Sequence, residues 1–280
     1  MKKNNISKIF NTYFPITLGA CIMIYPLIWM LMSSLKPDRI IFTDLNLFPR
    51  EITFEHYIAG WAGVGGVSFT YFFRNTFLLI IVVMLGNLLT CSMAAYSFAR
   101  FKFPLRGLMF SIMLATMMLP GHAVLIPQYT IFHQLGWVGT YLPLTVPSFL
   151  ATNAFFVFLM IQFIRGLPKE LDEAATVDGC GKVQIYIRLI LPLCAPALVT
   201  TAIFTFIWTY SDFFSQFIYL SDPKNYTVSL GLRLFVDATA KSSYGQLFAM
   251  STLSLVPLIL FFIFFQNLIV EGISTTGIKG

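Results

Sequence analysis

The chain has 280 residues, of which 57% are hydrophobic, 16% aromatic and 11% charged, and its mean hydropathy is +0.78. A soluble domain contains about 25% charged residues, so this composition excludes a soluble globular fold. The length excludes a single membrane anchor, because one apolar helix needs about 20 residues to cross the hydrocarbon. The net charge of +6 is no evidence for a nucleic-acid partner, and none is predicted.

Long stretches without acidic or basic side chains predict an all-α polytopic membrane protein with six transmembrane helices in one domain, residues 1–280. One uncharged run of 58 residues is too long for a single helix, and Pro120, Gly121 and Pro127 are expected to break it into two spans. The six spans are expected near residues 10–34, 75–99, 107–126, 143–164, 190–212 and 246–270.

The positions of the basic residues predict that both termini are cytoplasmic. With that orientation the inner segments contain eleven Lys and Arg and five acids, whereas the outer segments contain seven bases and seven acids. The short inner loop from Arg100 to Arg106 has three bases and no acid. Lys and Arg in short loops are enriched on the cytoplasmic side of membrane proteins, which favours this orientation.

The N-terminal region has a second interpretation as a lipoprotein signal that ends at Cys21. The apolar run continues fourteen residues beyond Cys21, to Leu35, which favours a span because a cleavable signal is shorter. Of the four cysteines, Cys180 falls in a predicted cytoplasmic loop and the others fall in predicted spans. No disulfide framework is therefore expected.

No Asp, Glu, Lys or Arg lies deep in a predicted span, whereas ion-coupled carriers usually keep such side chains within the membrane. The nearest one, Asp212, is expected at the outer end of the fifth span. A Walker A motif is also missing, because Gly179 to Val183 has the wrong spacing and no Ser or Thr after its Lys. Energy for transport is therefore expected from a partner, and no catalytic residue, metal site or bound cofactor is predicted in this chain.

The cytoplasmic loop at residues 165–188 is predicted to form two short helices joined by an elbow. Lys169 to Val177 contains strong helix formers and begins with acids, which the helix dipole favours at an N terminus. Gly179 and Gly181 are expected to end this helix and permit a reversal. A helix lying on a bilayer would be rich in bases, but Lys169 to Asp178 has four acids and one base, so a protein partner is expected.

This loop resembles the EAA motif of bacterial ABC importer permeases. The resemblance rests on Glu173-Ala174-Ala175, on Asp178-Gly179 and on Leu189-Ile190-Leu191-Pro192, where Leu189 replaces the usual Ile. Other stretches are similar to the MalG-type permeases of the carbohydrate-uptake branch of binding-protein-dependent importers: Ala94 to Arg100, Met118 to Pro120, Ile126-Pro127, Trp208 to Phe213 and Gln266 to Gly280. The resemblance implies the type I permease fold and sugar import, with no enzymatic activity in this chain.

The resemblance also implies that the loop couples the chain to a cytoplasmic ATPase. Glu173 would pair with a base of that subunit, Ala174 and Ala175 would permit close approach, and Gly179 would form the elbow. Asp178 and Pro192 belong to the same coupling motif.

The C-terminal residues Gly272, Gly277 and Lys279 resemble a tail that approaches the ATPase in some family members, although Thr275-Thr276-Gly277 replaces a frequent Ala-Gly-Ala. The implied partners are a second, MalF-like permease, two ATPase copies that bind ATP and Mg²⁺, and an extracytoplasmic solute-binding protein. The implied location is a bacterial cytoplasmic (inner) membrane. An ion-coupled carrier or a membrane scaffold, with the loop binding another partner, is the alternative.

Four residues near the outer end of the fifth span are candidates for contact with a sugar: Trp208, Tyr210, Ser211 and Asp212. Aromatic faces and hydrogen-bonding groups are the side chains that hold sugars. Trp and Tyr also gather at membrane interfaces, so a purely structural explanation of the same cluster stays open.

Overall fold

The computed structural model describes residues 3–236 and 243–277, with side chains for 12–121, 123–236 and 243–268. In these residues the regular structure is helical and no β-strand is present, which confirms the predicted all-α class. The chain forms two compact units. One comprises residues 1–70 and 231–258, and the other comprises residues 71–230 and 259–280.

The described helices range from single turns to elements of more than 30 residues. Short 3₁₀ turns (Asp38–Ile40, Val146–Leu150, Pro223–Asn225 and Leu232–Phe235) and a π-helical turn (Tyr186–Ile190) connect some of them. In chain order the helices are α1 (Lys3–Ser33), α2 (Glu55–Ala62), α3 (Phe69–Arg100), α4 (Arg106–Met117), α5 (Gly121–Gln134), α6 (Leu142–Thr145), α7 (Ala154–Gly166), α8 (Glu170–Val177), α9 (Lys182–Ile185), α10 (Leu191–Leu193), α11 (Ala195–Ser211), α12 (Phe214–Tyr219), α13 (Val228–Gly231) and α14 (Tyr244–Gly277).

Among the described residues, four helical segments are long and apolar enough to cross a membrane: Thr12–Ser33, Phe69–Arg100, Leu142–Gly166 and Tyr244–Leu268. A fifth candidate is the pair Lys182–Leu193 and Ala195–Ser211, whose two parts are bent by 73°. These segments overlap five of the six predicted spans. The structure thus supports several membrane crossings, whereas the total of six stays a prediction.

The third predicted span is where the structure departs from the sequence analysis. A single helix over 107–126 is wrong, because α4 ends at Met117 and α5 begins at Gly121. Pro120 causes this break, since it disfavours helical backbone at the residue before it and its own nitrogen has no hydrogen to donate. Pro127, which we expected to end a helix, lies inside α5.

The bend before α11 coincides with two prolines. Pro192 lies in α10 and is exposed, and Pro196 lies in the first turn of α11. The nitrogen of Pro196 cannot donate to the carbonyl four residues earlier, whereas proline is well accommodated in a first helical turn. The chain therefore ends one helix near Cys194 and starts another in a new direction.

A buried apolar cluster in the second unit connects the C-terminal part of α3 and helix α7 with the segment after α8. From α7, Phe156, Met160 and Ile164 recur at four-residue spacing and are all at most 2% exposed, as expected for one face of a helix. Ile185 and Ile190 join the same cluster. The cluster anchors the loop helices on two long helices, and this positions the candidate coupling site.

Candidate functional site

The elbow after α8 is a Schellman motif. Gly179 has φ of +82°, its N–H donates to the Thr176 carbonyl (3.0 Å), and the Cys180 N–H donates to the Ala175 carbonyl (2.9 Å). Glycine adopts this left-handed conformation without the steric cost of a Cβ. After Gly181 the chain enters α9, so the prediction of two short helices around an elbow is confirmed.

The two alanines of the motif have different surroundings. Ala174 is exposed, as is Glu173, whereas Ala175 is half-buried and packs against the apolar cluster of its own chain. Successive side chains on an α-helix point about 100° apart, so Ala175 can face the apolar cluster while Ala174 faces away from it. The exposed surface available to another protein is therefore formed by Glu173 and Ala174, with Asp178 exposed at the end of α8.

An ion pair joins α8 to the end of α3. Arg100 Nε lies 2.8 Å from Asp172 Oδ2, with the two side chains 6% and 20% exposed. The same guanidinium donates to the Leu167 carbonyl at 3.0 Å. A base at a helix C terminus and an acid in a first turn both complement the helix dipoles, so the pair holds the N-terminal turn of α8 against α3.

This ion pair was not expected from the sequence. Its two residues both lie at places that the family resemblance marks, since Arg100 ends the stretch from Ala94 and Asp172 immediately precedes Glu173. Nothing in the spacing of residues 72 positions apart indicates a contact between them. Only the packing of α7 beside α3 brings them together.

A cavity of about 390 Å³ lies at the C-terminal end of α11, in the second unit. It contains three of the four predicted sugar contacts, Trp208, Ser211 and Asp212. Tyr210 does not line it, because its side chain is 5% exposed and stacks on Phe206. The other lining residues are Leu79, Val83, Asn87, Leu144, Asn153, Phe156, Thr205, Thr209 and Gln216.

Hydrogen bonds fix several polar groups of this cavity. Gln216 Nε2 donates to the Thr209 carbonyl at 3.0 Å, and its Oε1 accepts from Ser229 Oγ at 2.9 Å. Asp212 Oδ1 accepts from the Ser215 N–H at 3.1 Å. The cavity therefore has one acid and several amide and hydroxyl groups, and among the described residues no Lys, Arg or His lines it.

Trp208 is half exposed, with a relative exposure of 43%. One face of its ring stacks on Phe156, with centroids 5.1 Å apart and planes 20° apart. Phe155 and Phe204 lie at 5.4 and 5.5 Å. These contacts hold the indole in place and leave part of it available to a ligand.

The predicted C-terminal contact falls mostly outside the described residues. Helix α14 passes through Gly272 and ends at Gly277, but the side chains after residue 268 and all of Lys279 lie outside them.

Comparison with known proteins identifies the family. The model of the family described as "Binding-protein-dependent transport system inner membrane component" matches residues 86–275, which include α8 and most residues that line the cavity at Trp208. The chain belongs to this family. It is therefore a transport component rather than an enzyme, and the alternatives of an ion-coupled carrier or a scaffold are not retained.

Two relatives align over nearly the whole chain. The trehalose/maltose transport system permease protein MalG of Thermococcus litoralis is 30% identical over 263 residues, covering 94% of each chain. The arabinooligosaccharides transport system permease protein AraQ of Halalkalibacterium halodurans is 30% identical over 268 residues, covering 93% of each chain.

A solved structure has the same fold. It is described as a bacterial ABC transporter involved in the import of the acidic polysaccharide alginate, and its chain matches with a TM-score of 0.84 at 20% identity. The match covers 95% of this chain and 98% of that chain. The expected permease fold is thereby confirmed.

Proposed function

We propose that this permease imports a sugar or oligosaccharide and is driven by a cytoplasmic ATPase that docks on α8. The observation that carries the coupling proposal is the attachment of α8 to a long helix. The surface formed by Glu173 and Ala174 is exposed, while the neighbouring Asp172 is tied to Arg100 of α3. A partner that moves α8 therefore also moves α3.

The proposed transport cycle is alternating access powered from outside this chain. Two ATPase copies would bind ATP and Mg²⁺ and close, and each would move a coupling helix seated in its surface. With a second permease chain completing the pathway, the long helices would then change from inward-facing to outward-facing largely as rigid bodies. The rigid connection of α8, α3 and α7 through one apolar cluster supports this kind of motion.

The proposed topology retains six spans and two cytoplasmic termini in a bacterial inner membrane. The third span would be completed by α4 and α5 in spite of their break. The C-terminal residues Gly272, Gly277 and Lys279 would approach the ATPase, and an extracytoplasmic binding protein would deliver the substrate. The distribution of bases supports the orientation.

The sugar class is supported by the cavity at Trp208 and by the relatives. Trp208 offers a partly open aromatic face, and Ser211 and Asp212 offer hydrogen-bonding groups beside it. The two relatives described above are named for trehalose/maltose and for arabinooligosaccharides.

The test uses the reconstituted importer with its ATPase, second permease and binding protein. Neutral sugars should stimulate ATP hydrolysis, and Glu173→Gln should reduce this stimulation at least several-fold. Glu170→Gln is the matched control, because it removes the same charge from the same helix at an exposed residue outside the motif. Equal stimulation in the two variants and the unmodified protein would exclude the coupling role.

A further inference from the structure

A second cavity, of about 680 Å³, lies beside α8, and six of its thirteen lining residues are bases. Its acids are Asp172 and Glu173. We propose that this basic cavity binds the phosphate headgroup of an anionic phospholipid. The six bases come from the end of α3, the loop before α4, the end of α7 and the segments on both sides of α8: Arg100, Lys102, Arg106, Arg165, Lys169 and Lys182.

The charges in the basic cavity do not balance. Asp172 is paired with Arg100, which leaves five bases and one acid, Glu173. Within the described part of the chain, no ion pair involves Lys102, Arg106 or Lys169. A cleft lined by one sign of charge concentrates ions of the opposite sign, and a bound anion would relieve the repulsion among these bases.

Aromatic rings fix two of the bases at this site. Lys182 Nζ lies 5.3 Å from the centre of the Phe101 ring, and Arg165 Cζ lies 5.2 Å from the centre of the Phe110 ring. Cations over aromatic faces at these distances are attracted to the ring. The two charges are therefore held near the protein surface instead of extending freely into water, as surface lysines and arginines commonly do.

An exposed apolar stripe next to the cavity favours a lipid over a soluble anion. Leu105, Leu108, Met109 and Ile112 are between 51% and 69% exposed, and their spacing places them on one face of α4. Helix α4 begins at Arg106, which lines the basic cavity. A phospholipid has both parts that this arrangement accommodates, a phosphate for the bases and acyl chains for the stripe, and basic pockets between membrane helices bind such headgroups.

The experiment measures lipid binding to the full chain in lipid nanodiscs that contain phosphatidylglycerol and phosphatidylcholine. Native mass spectrometry gives the preference for phosphatidylglycerol in the lipids that stay bound. The double variant Lys102→Gln/Arg106→Gln should lower that preference by about fivefold or more, since each base near a membrane surface contributes to anionic lipid binding. Arg188→Gln is the matched control, because Arg188 is exposed in the same loop and does not line the basic cavity.

Several outcomes would overturn the proposal. One is an unchanged preference in the double variant, and another is an equal loss in Arg188→Gln, which would indicate a general surface-charge effect. Displacement of phosphatidylglycerol by millimolar inorganic phosphate at constant ionic strength would assign the cavity to a soluble anion instead. A thermal melting curve for each variant distinguishes lost lipid binding from lost folding. Lys102→Arg keeps the positive charge and should therefore keep the preference for phosphatidylglycerol.

Discussion

Asp172 and Glu173 are neighbours in the sequence, but their carboxylates have different surroundings. Asp172 is 20% exposed and paired with Arg100, while Glu173 is exposed. The resemblance to the EAA motif drew attention to Glu173, because Glu173 is part of the motif and Asp172 is not. The residue that attaches the helix to its own chain could not be found that way, since its role depends on a contact distant in the sequence.

Asp172→Asn should destabilise the loop by about 2 kcal/mol, because it leaves the guanidinium of Arg100 poorly compensated in a largely buried position. Hydrogen exchange of the amides in residues 170–177 measures the change in local opening. Glu170→Gln, an exposed charge on the same helix, should change it by less than about 0.5 kcal/mol. Similar exchange in the two variants would show that the ion pair contributes little.

Gly179→Ala should cost about 1–2 kcal/mol of stability, because φ at this residue is +82° and an L-residue is strained there. No atom lies within 4 Å of the added Cβ, so the cost comes from the backbone alone. Gly181→Ala is the matched control, since φ there is −71°. Thermal unfolding in detergent should distinguish the two variants, and equal melting temperatures would contradict the role of the elbow.

At the scale of elements, the segment between α1 and α2 is organised by a buried lysine. Lys36 is 1% exposed at its side chain, and its Nζ donates to the carbonyls of Asp44 (2.9 Å) and Asn46 (2.6 Å). The Asp44 carboxylate lies 3.6 Å from the same nitrogen. From the sequence, this segment belongs to the outer segments, whose bases and acids are equal in number, and hydropathy alone gave no reason to expect a buried cation within it.

Lys36→Met should loosen this segment by about 2–3 kcal/mol, because the substitution removes two hydrogen bonds that a charged group donates to the carbonyls of Asp44 and Asn46. Arg39→Gln provides the comparison, as it removes an ion pair with Glu51 in which both side chains are mostly exposed. Such a pair contributes less than about 1 kcal/mol. Limited proteolysis of residues 38–54 measures both effects, and equal cleavage rates would contradict the buried role of Lys36.

The same segment should open in acid. Hydrogen bonds from the Asn46 backbone and side chain, with the charges of Lys36 and Arg50, hold the pKa of Asp44 below its ordinary value of 3.8. A lowered folded-state pKa stabilises the fold above pH 3.8, and this contribution is lost as the pH falls through the folded-state pKa. Cleavage of residues 38–54 by an acid-active protease should therefore rise over that range, and Asp44→Asn should weaken the pH dependence.

The helices themselves were predicted with unequal success for physical reasons. Long uncharged runs locate α1, α3 and α14, because hydrocarbon requires such runs and little else produces them. The break between α4 and α5 was misplaced, since the sequence shows that Pro120 can interrupt a helix but not whether two short helices complete one span. The bend near Cys194 was missed for the same reason, although Pro192 and Pro196 mark it.

At the scale of the whole molecule, the scarcity of charge was the most informative property of the sequence. It predicted the membrane class, and 11 of the 30 charged residues lie in the loop at residues 165–188 or line the basic cavity. The substrate cavity was predicted in part, because Trp208, Ser211 and Asp212 follow one another closely along the chain. Its other walls, including Asn87 and Asn153, come from helices whose contacts the sequence does not encode locally.

The orientation of the whole chain can be tested at Cys180, which is partly exposed in the loop after α8. With Cys21, Cys91 and Cys194 replaced by serine, a membrane-impermeant maleimide should leave Cys180 unlabelled in intact cells and label it in inside-out vesicles. The reverse pattern is expected for Ser221→Cys in a protein without other cysteines, because Ser221 is exposed after α12 and belongs to a predicted outer segment. Ready labelling of Cys180 in intact cells would place α8 on the extracytoplasmic side of the membrane, where no cytoplasmic ATPase could reach it. Both the topology and the coupling proposal would then be wrong.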